Sequence, residues 1–162
     1  MSETFFHRRL IRPILDLLRQ GVTPEKLALS IALGLTLGIF PVLGSTTALC
    51  ALAALVLHLN LPAIQIVNYF VYPLQIALLI PFFRAGEKLF RATHLPLSVS
   101  QIYAMIHANM AEAIRILWTT TWHAIAVWCL LAPLAAALVY IALVPIFRRA
   151  LRRQTQPIVE PA

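Results

Sequence analysis

The chain has 162 residues, of which 60% are hydrophobic and 12% charged, and its formal net charge is +7. A soluble domain carries about a quarter charged residues, so too little polar side chain is present here to cover a globule, and lipid must solvate much of the surface. A basic excess also suits nucleic acid, but Arg8, Arg9, Arg12 and Arg19 precede the apolar core while Arg148, Arg149, Arg152 and Arg153 follow the last apolar segment. That juxtamembrane placement sets topology and attracts anionic lipid, so no nucleic acid partner is expected.

Residues 1–22 form a basic amphipathic interfacial segment. Phe6, Leu10, Ile14 and Leu18 recur four apart among the arginines, Pro13 kinks or splits the helix, and Gly21 ends it. The first apolar run is short, holds Asp16 and lacks a small-residue cleavage site, unlike a signal peptide.

Residues 23–92 form a hydrophobic core with broken helices. From Leu27 to Phe83 no Asp, Glu, Lys or Arg occurs, a run too long for one span of about 20 residues. Thr23-Pro24-Glu25 reads as a helix start: a capping hydroxyl, a proline at the first helical position, an acid in the first turn. The helix that follows carries a small-residue packing face, Ser30, Gly34 and Gly38, against which a second helix can lie closely. That neighbour is either intramolecular, the simpler option, or a second copy. Pro41 breaks the helix before it can cross a core about 30 Å thick. Gly44 permits the turn, and Ser45, Thr46 and Thr47 start a new helix whose free amides their hydroxyls can cap. It stops near Pro62, which leaves either a re-entrant hairpin or one discontinuous span.

Pro62 to Phe83 suits a full span, with Pro73 as a second expected helix-break and Gln65, Asn68, Tyr72 and Gln75 on one face. Residues 93–115 read as an amphipathic surface helix, opened by a capping box at Ser98–Gln101 and showing Ile102, Met105, Ile106, Met110 and Ile114 on an apolar face. Residues 116–153 form a C-terminal transmembrane segment with a basic end. Trp118 and Trp122 anchor it at an interface, and it is either one span kinked at Pro133 or a short hairpin. Residues 154–162 read as a disordered tail. The expected fold is thus an all-α membrane protein with short broken or re-entrant helices, two or three transmembrane helices and amphipathic surface helices. Both basic ends are expected in the cytoplasm.

Taken together, G-x-F-P-x-x-G at 38–44, N-x-P at 60–62 and N-Y-x-x-Y-P-L-Q at 68–75 resemble the bacterial membrane family catalogued as domain of unknown function twenty sixty-two. The likeness covers residues 24–90 well and the remainder more loosely. It implies a bacterial inner-membrane location and no established activity. Many members read Asn-Pro where this chain has Tyr72-Pro73, so a role tied to that asparagine does not carry over.

Chemistry narrows further. The core contains no carboxylate, paired histidine or nucleophile motif, so no enzyme activity, metal or cofactor is expected. Cys50 and Cys129 lack a CxxC or His pairing and read as small buried hydrophobes, while Glu87, Glu112 and His107 read as solvated helix charges. A broken helix offers unpaired amides and a partial positive charge. Gly44, Ser45, Thr46 and Thr47, facing Gln65, Asn68, Tyr72 and Gln75, are therefore the candidate binding residues for an anionic lipid or phosphate-bearing headgroup. The same features also fit a plain turn and interhelical glue. The alternatives are a non-catalytic scaffold or accessory subunit that docks a partner membrane enzyme through Ser30, Gly34 and Gly38 and the basic helices, and a lipid sensor acting through residues 5–20.

Overall fold

The computed structural model describes residues 23–92 and 99–154. The expectations for residues 1–22, for the capping box at Ser98 and for the tail beyond 154 lie outside the described residues, as do the side chains of Ile102, Met105 and Ile106.

Among the described residues five helices follow in order: α1 (Pro24–Gly38), α2 (Thr46–Val56), α3 (Leu61–Leu89), α4 (Val99–Ala108) and α5 (Met110–Gln154). Among the described residues there is no strand. Helix α1 starts as its sequence prescribes: the Thr23 hydroxyl accepts from the Lys26 amide at 3.3 Å, with proline in the first turn. Asn60 does the same for α3 by accepting from the Ala63 amide at 2.8 Å. Helices α2 and α3 each end on a residue in the left-handed region, His58 and Arg91, both with φ of 50°. There the amides of Leu59 and Ala92 return to the carbonyls of Ala54 and Glu87, closing each helix in a Schellman-type turn.

Helices α3 and α5 lie antiparallel. Gly86 backs onto His123 and Ala124 at one end, and Ala63 clusters with Phe147 at the other. Between these contacts each helix advances by the same number of residues, about 35 Å at 1.5 Å per residue. Both are long and apolar enough to cross a membrane. Ile66, Phe70, Leu74 and Ile76 on α3, and Leu130, Leu134, Leu138 and Ile141 on α5, are exposed. So much apolar surface is stable only against lipid, and the chain is an all-α membrane protein.

Helix α1 runs parallel to the first half of α3, and α2 returns beside it. A Cβ on Gly34 would meet the Ile64 carbonyl at 2.8 Å and Val67 Cβ at 2.9 Å, so these backbones touch only because residue 34 has no side chain. At the return, the Asn60 amide donates to Ser30 Oγ at 3.3 Å. The expected small-residue face therefore holds an intramolecular neighbour. Cys50, Ala54 and Ile64 fill the space between the helices with Leu33 and Leu37.

Helix α5 is a single helix through Pro133, the first of the two readings of that segment. Two expectations need correcting. Pro73 does not break its helix, because α3 is continuous through both Pro73 and Pro81. In a long helix the loss of one amide leaves the surrounding ladder intact. The surface helix does not run on to 115: Asn109 interrupts it, its Oδ1 accepting from the Glu112 amide at 3.2 Å. This asparagine caps a new helix, so Met110 and Ile114 belong to α5.

Candidate functional site

Helix α1 stops inside the protein, where its last carbonyls need partners. Two side chains from other helices supply them. Trp128 Nε1 donates to the Thr36 carbonyl at 3.0 Å, and Gln75 Nε2 donates to the Phe40 carbonyl at 2.8 Å. The Phe40 ring meets Trp128 edge-on at 4.9 Å, fixing the loop from both backbone and side chain. Pro41 is buried at the turn, and Gly44 takes φ of +85°, a left-handed value suited to glycine.

The start of α2 differs from expectation. Ser45 does not cap it; its hydroxyl donates back to the Val42 carbonyl at 2.8 Å. The first-turn amides of α2 therefore have no side-chain acceptor, which leaves the positive end of the helix available. The polar face of α3 meets this turn. Gln65 Nε2 donates to the Thr47 carbonyl at 2.9 Å, and Asn68 Nδ2 donates to Thr47 Oγ1 at 3.4 Å and to Gln65 Oε1 at 3.3 Å.

A cavity of about 290 Å³ opens here, lined by Gly44, Thr46, Thr47, Asn68, Tyr69 and Tyr72. Five of the eight expected binding residues thus share one cavity. Gln65 holds its rim through Thr47, while Ser45 and Gln75 are occupied with the loop backbone. Asn68 is 3% exposed and its Oδ1 has no hydrogen-bond partner; the same is true of Oε1 on Gln75, 1% exposed. Asn68 Oδ1 lies against Gly38, where an added Cβ would approach it to 3.3 Å. The lining offers hydroxyls, an amide, phenols and a helix start, and no ionisable carboxylate or amine. Gln75, halfway along the paired stretch of α3, places this turn midway between the two ends of the α3–α5 pair.

Three residues escaped sequence reasoning. Tyr69 had a usable signal, since it sits three before Tyr72. Trp128 had none, because its partner Thr36 is 92 residues away. Glu87 read as a solvated charge, but it is 2% exposed and held by Arg84 at 2.8 Å, as a buried carboxylate requires.

A family model described as an uncharacterized protein conserved in bacteria (DUF2062) matches residues 7–156. Neither a curated protein nor a solved structure matches the chain.

Proposed function

Because the chain belongs to this uncharacterised bacterial family, we propose its role from the site itself: an inner-membrane protein that binds an anionic lipid or other phosphate-bearing headgroup at the α1–α2 turn and helps it enter or cross the bilayer. In this reading α3 and α5 each cross once and the α1–α2 hairpin is re-entrant. The Glu25–Arg148 ion pair at 2.7 Å keeps the start of α1 beside the end of α5, which fits both termini on one side. The flanking arginines make that side the cytoplasm. Binding needs no general acid or base, so the protein acts as a binder and not as an enzyme.

The observation that carries this reading is the shared cavity, into which two sequence-distant polar elements converge midway along the α3–α5 pair. Polar surface there is unfavourable unless it meets protein, water or a ligand, and broken helices are a recurrent way to present donors to anionic groups. In the scaffold reading Gly34 and Gly38 are already covered by α3, so docking would fall to the basic helices.

Native mass spectrometry of the protein released from its own membrane tests the proposal. A Cβ at Gly44 meets open space but carries the strain of a positive φ, so Gly44→Ala controls for strain while Gly44→Trp fills the cavity. The expected result is one bound lipid fewer on Gly44→Trp than on the parent and Gly44→Ala forms. Equal lipid retention by Gly44→Trp overturns the site.

A further inference from the structure

A second cavity, of about 220 Å³, lies at the end of the α3–α5 pair away from the start of α1, lined by Ala92, Arg115, Ile116, Thr119, Thr120 and His123. We infer that it is a separate site for a phosphate-bearing anion that also carries a hydrogen-bond donor, such as a hydroxylated phospholipid headgroup held at the opposite membrane interface.

The donors are fixed in place. Glu112 takes Nη2 of Arg115 at 2.7 Å and Nε at 3.1 Å, which orients the guanidinium and leaves Nη1 available. Phe90 stacks on the His123 ring at 4.3 Å and 11°, and Gly86 lets the α3 backbone close against the same residue. His123 Nδ1 is buried with no hydrogen-bond partner, the kind of atom a bound ligand accounts for. The acceptors are fixed as well. Thr119 and Thr120 donate their hydroxyl hydrogens to the carbonyls of Arg115 and Ile116 at 2.8 and 2.9 Å. Their oxygens are left to accept, which matches a headgroup hydroxyl beside the phosphate.

The surroundings suit an interface. Trp118 and Trp122 are exposed next to the cavity, in edge-on contact with each other, as aromatic anchors at headgroup level are. Arg84, Lys88, Arg91 and Arg115 outnumber Glu87 and Glu112 among the described residues of this end. Since Glu112 neutralises Arg115 locally, selectivity rests on directed donors and acceptors more than on net charge.

The test uses the full chain in detergent, titrated under native mass spectrometry with dihexanoyl phosphatidylglycerol, dihexanoyl phosphatidylcholine and inorganic phosphate. Arg115 is exposed, so Arg115→Gln is expected to fold normally, as circular dichroism would verify, and to weaken phosphatidylglycerol binding by about tenfold or more. Arg115→Lys keeps the charge but loses the oriented Nη1 donor, so it is also expected to weaken binding, by more than about threefold. His123→Phe keeps the stacking and should also weaken binding, and the effects at both residues should persist in a Gly44→Trp background, where the turn cavity is filled. Competition by inorganic phosphate would identify a free anion as the ligand; its absence would identify the lipid headgroup. Parent-like binding in Arg115→Gln, or phosphatidylcholine binding as tightly as phosphatidylglycerol, overturns the inference.

Discussion

The α1–α2 hairpin and the α3–α5 pair solve the same problem in opposite ways. In lipid every backbone polar group needs a partner. Helices α3 and α5 meet that demand internally and tolerate prolines at 73, 81, 133 and 145. The hairpin cannot, because α1 ends and α2 begins at a turn whose backbone takes partners from other helices. It depends on Gln75, Trp128 and Gln65, side chains that close its loose ends from elsewhere in the fold. A self-sufficient element can be altered locally with little effect, whereas a dependent one fails when a distant donor is removed.

The comparison can be broken most severely at Gly34. Gly34→Leu forces side chain into the Ile64 carbonyl and Val67. It is expected to cost at least about 3 kcal/mol, read as loss of the folded form in detergent melting. Next come the remote donors. Gln75→Leu leaves the Phe40 carbonyl buried and unpaired and should cost about 1–3 kcal/mol, with Trp128→Phe similar, because it retains a ring against Phe40 but loses the donor. If either melts like the parent, the hairpin is not held from outside. Pro73→Ala goes the other way. It restores an amide to the interior of α3 and should stabilise by up to about 1 kcal/mol or change nothing. A marked loss would mean that Pro73 shapes the neighbouring cavity.

The smallest effect is electrostatic. The hydrogen bond from Arg148 holds the Glu25 carboxyl below its ordinary value of 4.5, helped by the helix-start backbone. The unfolded chain therefore binds a proton more readily than the folded one. The contribution is complete above about pH 4.5 and disappears as pH falls through the depressed folded value. Both partners are well exposed, so it amounts to less than about 1 kcal/mol. Arg148→Gln should flatten this part of the melting-against-pH curve.

Local signals in the sequence carried well into the fold. Thr23-Pro24, Asn60 and the Pro41–Gly44 break are written in adjacent residues, and the spacing of Gln65, Asn68 and Tyr72 predicted a shared face. What escaped depended on partners far along the chain. Nothing near Trp128 announces a carbonyl at Thr36, and nothing near Glu87 announces its burial. Gln75 fell on the expected face but serves the loop backbone, which face periodicity alone does not reveal. Asn109 was missed because an asparagine inside an amphipathic pattern reads as part of it until its side chain is seen to cap.

The bond between Trp128 and Thr36 also sets a schedule for making the protein. During synthesis the hairpin emerges first, and the tryptophan that closes α1 follows 92 residues later. At about 5–20 residues per second, the growing chain spends roughly 5–20 s with that carbonyl uncovered. Gly34 likewise has nothing to rest against until Ile64 and Val67 have been added. Closure of the hairpin is therefore a late step in making the chain, reached only after α3 and the first part of α5 have been added.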